Sequence, residues 1–147
     1  MEHLVLTNWT GEMSFRSDAD DYEIIMDASG DAGGEYRGPT PGHLLLASVS
    51  GCTGMDIISL LQKMRVKIAK MEISVTGEIT TEHPKHYSAI HLKYEFSGKK
   101  LRREKIKNAV MLAHNEYCGV SNMLSPKIRV SYEIAYIEEP SESLLEM

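Results

Sequence analysis

The sequence predicts an α+β fold with the element order βββ-α-ββ-α-β, in which antiparallel sheets surround one long central helix. Short strand patterns fill the first part of the chain, and a long apolar helix pattern follows a loop rich in glycine and proline. The remaining strand patterns alternate cleanly and are interrupted by a single second helix. We therefore expect one domain that spans residues 1–147.

The N-terminal part predicts a three-stranded meander. Strand patterns cover residues 5–10, 13–16 and 22–27, with turns between them at Thr10-Gly11-Glu12 and at the acidic segment 18–21. The segment that follows, residues 28–42, holds five glycines and two prolines. Proline lacks a backbone donor and restricts the preceding residue, so this segment is predicted to be a loop.

A long central helix is predicted from His43 to Arg65, with Pro41 at a position that a helix start tolerates. Its apolar residues extend most of the way round the helix, which indicates burial on several sides. A second copy of the chain is the natural way to complete such a core. No apolar run of the roughly 18 to 20 residues that span a bilayer is expected, and no signal peptide is evident. We expect a soluble cytoplasmic protein that does not bind membranes.

Two alternating segments predict a β-hairpin. Residues 70–80 place Ile79 and other apolar residues on one face, and Thr81 to His86 forms the turn. The second strand, residues 89–97, is predicted to direct four apolar or aromatic side chains inward: Ile90, Leu92, Tyr94 and Phe96.

The last elements are a helix and a strand. Residues 101–117 have helical spacing of apolar side chains, which places Cys118 at the end of the second helix. Residues 127–136 alternate as a final strand, and the acidic tail from Glu138 is expected to fray.

Charge and cysteine count exclude several classes of protein. Sixteen Lys and Arg against 21 Asp and Glu leave a net charge of −5, which argues against a nucleic-acid binder or an anionic-membrane binder. The two cysteines, Cys52 and Cys118, are too few for a secreted disulfide scaffold and too far apart for a zinc ribbon. We expect them to rest as thiols.

Cys52 lies in a narrow polar stripe on the otherwise apolar central helix. The other members of the stripe are Ser48, Asp56, Ser59 and Lys63. The stripe is either the solvent-facing side of the helix or a polar pocket that reaches a buried thiol. In the second case Asp56 would raise the pKa of the Cys52 thiol unless a cation offsets its charge. Arg37 in the preceding loop and Arg16 on a strand are the candidates, and the sequence does not choose between them.

Two segments resemble the cysteine motifs of the OsmC/Ohr family. Residues 38–56, from Gly38-Pro39-Thr40-Pro41-Gly42 to Cys52-Thr53-Gly54-Met55-Asp56, resemble the proline-led helix that carries the first cysteine. Residues 116–124, Glu-Tyr-Cys-Gly-Val-Ser-Asn-Met-Leu, resemble the second-cysteine motif. The segment His83-Pro84-Lys85 also fits, and the whole chain is most similar to the small OsmC-like branch.

The resemblance implies an intertwined homodimer with its active sites at the subunit interface. It also implies a thiol-dependent peroxidase of the oxidative stress response. Cys52 would attack an organic hydroperoxide or hydrogen peroxide and become a sulfenic acid, and Cys118 would resolve it as a disulfide. A dithiol reductant would then restore both thiols, with no metal and no organic cofactor.

One position departs from the family pattern. The family commonly has a glutamate just after the second proline, where it can position the activating arginine. This chain has Gly42 and His43 there. His43 could substitute by hydrogen bonding, but it carries no permanent negative charge, so we expect weaker peroxidase activity than in the hydroperoxide-resistance branch.

Parts of the sequence are compatible with three other functions. His83, His86 and His91, with Glu82 or Glu95, could hold a metal, but a solvated loop is the simpler interpretation. A basic cluster on the second helix could bind an anion or nucleic acid, although a solvated charged face is more common. A binding protein that uses the same dimer-interface pocket for a small apolar ligand or thiol compound, without turnover, is the main alternative to an enzyme.

Overall fold

The computed structural model describes residues 1–140, which contain six β-strands and three α-helices. The mixture confirms the α+β class. The chain packs as two compact units, the first comprising Met1–Leu45 and the second beginning at Leu46. The single domain of residues 1–147 stays a prediction, and the end of the acidic tail, residues 141–147, lies outside the described residues.

The first unit contains the predicted meander. Strands β1 (Val5–Gly11), β2 (Ser14–Ala19) and β3 (Tyr22–Met26) pair antiparallel in the order β1-β2-β3. Strand β2 continues through two residues that the sequence assigned to the acidic turn. The chain instead reverses just beyond them, where Asp20 has a positive φ of 52° and Ala19 pairs with Tyr22.

The carboxylate of Asp27 organises the loop after β3. It accepts hydrogen bonds from the backbone N–H groups of Ala28, Glu35 and Arg37 at 2.8, 3.0 and 3.3 Å. A short 3₁₀-helix, Gly30–Ala32, lies within the loop. These bonds fix the course of the segment that carries Arg37, and they confirm the predicted loop.

Helix α1 runs from Pro41 to Lys63, two residues earlier at each end than predicted. It begins at Pro41 because the first turn of a helix needs no proline N–H. It ends because Arg65 adopts a left-handed φ of 57°, and the Val66 N–H then donates to the Leu61 carbonyl at 2.9 Å. Glycine usually occupies such a position, so the sequence gives no signal of it.

The expectation that no segment is apolar enough to span a bilayer is wrong by length and hydropathy. An 18-residue window of α1 has a mean hydropathy of 1.7, because the helix is rich in Leu and Ile and many of its other residues are small. Within this chain, 28% of that window is buried. Much of an apolar helix is therefore uncovered in one copy of the chain.

The second unit contains a mixed sheet, not a purely antiparallel one. Strands β4 (Lys70–Ile79) and β5 (Tyr87–Gly98) form the predicted antiparallel hairpin. Strand β6 (Arg129–Glu138) pairs in parallel with β5, so the prediction of antiparallel sheets is wrong for this pair. The helical connection after β5 carries the chain back to the end where β5 began, and β6 therefore runs in the same direction.

The predicted inward face of β5 is confirmed, since Ile90, Leu92, Tyr94 and Phe96 are all fully buried. The prediction for Ile79 is wrong: a register shift between Glu78 and Ile79 turns its side chain outward.

The start of the acidic tail is ordered. Glu138 belongs to β6, and its carboxylate accepts a hydrogen bond from the Leu101 N–H at 3.1 Å. The expected fraying from Glu138 is therefore wrong at that residue, because the Leu101 backbone N–H holds its side chain in place.

The second helix of the prediction is divided into three pieces. Helix α2 spans Arg103–Leu112, a π-helical turn follows at Ala113–Tyr117, and helix α3 spans Gly119–Leu124. The core lies where α1 and α2 pack on the inner face of β5, and it includes Val49, Ile57, Leu61, Ile106 and Val110. Helix α1 passes close over β4 at Gly54, where an added Cβ would lie 3.0 Å from Ile73 Cδ1.

Candidate active site

Both cysteines and one carboxylate meet in the second unit. The Sγ atoms of Cys52 and Cys118 and a carboxylate oxygen of Asp56 all lie within 4.8 Å of one another. Cys52 and Asp56 are one turn apart on α1, as the helical spacing predicts, and both are partly exposed. Cys118 is fully buried. Both thiols are reduced.

The local backbone explains why Cys118 points toward α1. The π-helical turn ends when the Cys118 N–H donates to the Ala113 carbonyl at 2.8 Å. Cys118 then adopts an extended conformation and caps the N-terminus of α3, where its Sγ accepts a hydrogen bond from the Ser121 N–H at 3.3 Å. This break, from one helical segment into the next, orients the side chain.

The surroundings keep Cys118 protonated. Burial, together with the neighbouring Cys52 and Asp56, raises the pKa of the Cys118 thiol to about 11, against the opposing effect of the Ser121 N–H. Asp56 Oδ2 is itself buried and has no hydrogen-bond partner among residues 1–140. A buried, unpaired carboxylate oxygen is costly, so the cluster favours the arrival of a cation or a donor.

A buried polar pair that the sequence analysis missed lies close to Cys118. The Tyr94 hydroxyl and His114 Nε2 are hydrogen-bonded at 2.6 Å. Burial raises the pKa of Tyr94 and lowers that of His114 to about 4. His114 also stacks on Tyr132 with ring centroids 4.3 Å apart. Tyr94 is the residue from which this hydrogen bond could have been predicted, because a tyrosine on the inner face of a strand needs a partner for its hydroxyl.

The predicted supporting residues other than Asp56 belong to the first unit, each with its own partners. Arg16 pairs with Asp18 at 3.1 Å and with Glu23 at 3.4 Å, and Arg37 pairs with Glu35 at 2.8 Å. His43 Nδ1 is hydrogen-bonded to the Thr40 hydroxyl at 2.6 Å in the first turn of α1. The activation of Cys52 by either arginine, and the part that His43 takes in it, therefore stay predictions.

Two of the three histidines that suggested a metal site have other partners. His91 Nδ1 is hydrogen-bonded to the Ser131 hydroxyl at 2.7 Å, and its Nε2 lies 3.2 Å from Glu133. His86 Nδ1 is hydrogen-bonded to the Pro84 carbonyl oxygen at 2.8 Å. Within residues 1–140, the group of side chains close enough to share one ion is instead Cys52, Asp56 and Cys118.

An open groove of about 610 Å³ runs between α1 and β4. Its lining is mostly apolar and comprises Ser50, Gly51, Gly54, Met55, Ile58, Ser59, Gln62, Met71 and Ile73. The groove follows the uncovered side of α1, where Met55 is 76% exposed. This side of the helix is shaped to accept another apolar surface.

Comparisons with known proteins place the fold and both cysteines in one family. The family model described as OsmC-like protein matches residues 30–133, which include Cys52 and Cys118. Protein YhfA of Escherichia coli K12 is 31% identical over 130 residues, which cover 86% of this chain and 93% of the relative.

Two solved structures share the fold. A hypothetical protein from Aquifex aeolicus VF5 superposes with a TM-score of 0.79 and 28% identity, over 94% of this chain and 99% of that one. The organic hydroperoxide resistance protein OhrB of Bacillus subtilis superposes with a TM-score of 0.64 and 20% identity, over 91% of this chain and 98% of that one. At 20% identity, the similarity to OhrB shows a shared fold alone.

Proposed function

Because the chain belongs to the OsmC-like protein family, we propose that it is a thiol-dependent peroxidase that reduces organic hydroperoxides or hydrogen peroxide with Cys52 and Cys118. One observation carries the proposal: two cysteines 66 positions apart in the sequence have their Sγ atoms within 4.8 Å of each other and of a carboxylate oxygen. The name of the OhrB relative, which refers to organic hydroperoxide resistance, supports the same class of substrate.

Cys52 is the proposed nucleophile. It is partly exposed on α1, whereas Cys118 is fully buried and is held as a thiol by its raised pKa. The Cys52 thiolate attacks the distal peroxide oxygen, so that an S–O bond forms as the O–O bond breaks. The alkoxide leaves as the alcohol after taking up a proton, and Cys52 is oxidised to a sulfenic acid.

Cys118 is the proposed resolving thiol. Its sulfur attacks the Cys52 sulfenic sulfur, the thiol proton and the hydroxyl group leave together as water, and a disulfide forms. The sulfurs are no more than 4.8 Å apart in the reduced protein, so only a small movement is needed. A dithiol reductant in the cytoplasm then restores both thiols by exchange and is itself oxidised to a disulfide.

Activation of Cys52 needs a positive charge that offsets Asp56. We assign this role to Arg37 or Arg16, with His43 ordering the start of α1 through Thr40. The ion pairs of both arginines lie on the surface, and pairs of that kind contribute only about 0–1 kcal/mol. Either arginine can therefore leave its present partner at low cost. Since Gly42 and His43 replace the usual glutamate, activity is expected to be weaker than in the hydroperoxide-resistance branch.

The active form is proposed to be an intertwined homodimer. Members of the OsmC/Ohr family are typically homodimers. In this chain the largely uncovered α1 and the exposed Leu6, Trp9 and Tyr22 of the first sheet support the same assembly. Apolar surface of this extent is typical of an interface between subunits.

Steady-state consumption of an alkyl hydroperoxide with a dithiol reductant tests the proposal. Cys52→Ser is expected to lower the rate by at least about a hundredfold, because the nucleophile is lost. Cys118→Ser, the matched control, is expected to keep the first turnover and to accumulate a sulfenic acid that a dimedone probe labels on Cys52. Peroxide consumption that is unchanged in Cys52→Ser would contradict the proposal.

A non-catalytic binding function is the second candidate, and the groove between α1 and β4 favours it. Its volume of about 610 Å³ and its apolar lining suit a small apolar ligand or thiol compound. A binding protein would retain a fluorescent apolar probe in this groove while the wild type consumes no peroxide. Peroxide turnover that depends on Cys52 would exclude a function limited to binding.

A further inference from the structure

The three grouped side chains have the chemistry of a metal-ligand set. Two thiol sulfurs and a carboxylate oxygen lie within 4.8 Å of one another. In a tetrahedral zinc site with Zn–S distances of about 2.3 Å and Zn–O distances of about 2.1 Å, neighbouring ligand atoms are about 3.5 to 3.8 Å apart. The three atoms therefore need to close by no more than about 1 Å to share one ion.

We propose that the reduced protein binds a divalent cation of the zinc class through Cys52, Asp56 and Cys118, with solvent in the fourth position. Thiolate ligands select zinc over magnesium or calcium, which prefer oxygen. Asp56 Oδ2 is the second observation: it is buried and has no hydrogen-bond partner among the described residues. A bound cation satisfies that oxygen directly.

Charge balance supports the same occupant. When ionised, the two thiols and Asp56 place three negative charges in one small volume, and the resulting repulsion falls when a divalent cation binds. Binding converts each thiol to a thiolate, and two protons are released to solvent for each ion bound. Cys52 and Asp56 are partly exposed, so a hydrated ion can approach from their side while Cys118 closes the site from within.

Metal binding requires no peroxide, because its ligands are the thiols before any oxidation. A Cys52–Cys118 disulfide would remove both sulfur ligands. The metal-bound state and the disulfide state therefore exclude each other, and the same residues alternate between holding an ion and carrying a redox change.

Titration of the metal-free, reduced protein with Co²⁺ alone tests the proposal without any peroxide. We expect one Co²⁺ per chain, a near-ultraviolet thiolate-to-cobalt charge-transfer band and the visible bands of a four-coordinate ion, all lost when Zn²⁺ is added. Cys52→Ser and Cys118→Ser should each reduce the charge-transfer intensity. Asp56→Asn should weaken binding by at least about tenfold, because the amide is a poorer ligand than the carboxylate.

Asp56→Asn is the decisive variant, since a change at the buried Cys118 could prevent folding. Asp31→Asn, an exposed change in the first unit, is the matched control and should bind Co²⁺ like the wild type. The proposal is overturned by absence of the charge-transfer band in the reduced wild type, or by wild-type Co²⁺ affinity in a folded Asp56→Asn variant. Neither outcome decides the peroxidase proposal, which the consumption of an alkyl hydroperoxide tests separately.

Discussion

At the scale of single residues, the Tyr94 hydroxyl ties β5 to the segment that leads into Cys118. It is hydrogen-bonded to His114, in the π-helical turn before Cys118, at 2.6 Å. Next to Cys52, the Thr53 hydroxyl donates to the Val49 carbonyl of α1 at 3.0 Å. Separate hydrogen bonds therefore hold the backbone beside each thiol.

Tyr94→Phe is expected to lower the free energy of unfolding by about 1–3 kcal/mol, since the ring stays but His114 loses a buried partner. Chemical denaturation of the reduced protein measures the change. The matched control is Tyr36→Phe in the loop of the first unit, where the tyrosine is 89% exposed, and it should shift stability by no more than about 0.5 kcal/mol. Equal, small shifts in the two variants would show that the Tyr94 hydroxyl has no such role.

The candidate site was only partly predictable at this scale. The position of Asp56 beside Cys52 follows from helical periodicity alone. The approach of Cys118 does not, because tertiary packing and the π-helical turn determine it, and only the family resemblance implied it. The sequence likewise did not indicate that Cys52, Asp56 and Cys118 form one ligand set, since Cys118 is 62 or more positions from the other two.

At the scale of elements, α1 is the part of the molecule whose surroundings are least complete. It is apolar nearly all round, yet only 28% of its most apolar window is buried in one chain. Met55 lies in the middle of the uncovered side and lines the groove against β4. We expect a second copy of the chain to cover this side.

Met55→Glu is therefore expected to shift the dimer toward monomer by at least about tenfold in dissociation constant, because a charge would be buried at the interface. Sedimentation equilibrium measures the shift. Met111→Glu on α2, where the methionine is 39% exposed, is the control and should leave the assembly unchanged. A Met55→Glu variant that dimerises like the wild type would place the interface elsewhere.

Most elements could be predicted, and the failures have identifiable causes. Periodicity gives the inner face of β5, since one buried face requires strict alternation. It cannot give the direction of β6, which depends on the helical crossover, nor the outward turn of Ile79, which depends on a register shift. The end of α1 at Arg65 was hidden because a non-glycine residue adopts the left-handed conformation there.

At the scale of the whole molecule, global stability should depend on the protonation of His114. Burial lowers its pKa from 6.5 to about 4, so the folded protein keeps the ring neutral where the unfolded chain takes up a proton. Between these two pH values the unfolded state binds more protons. Proton uptake therefore favours unfolding in this window.

The free energy of unfolding is expected to fall as the pH drops from 6.5 toward 4, through this group, and to be insensitive to it above that window. Denaturant titrations at several pH values measure the dependence. His114→Gln, which keeps a hydrogen-bonding side chain without a titrating ring, should flatten this part of the profile. An identical slope in wild type and variant would contradict the assignment.

A single-turnover reaction shows whether Cys52 and Cys118 act as one redox pair. Reduced protein is mixed with one equivalent of cumene hydroperoxide without reductant, quenched with an alkylating agent, digested and analysed by mass spectrometry. We expect one alcohol per chain and a disulfide-linked peptide pair that contains Cys52 and Cys118. Unconsumed hydroperoxide, with both cysteines alkylated as free thiols, would show that the two residues do not form a redox pair.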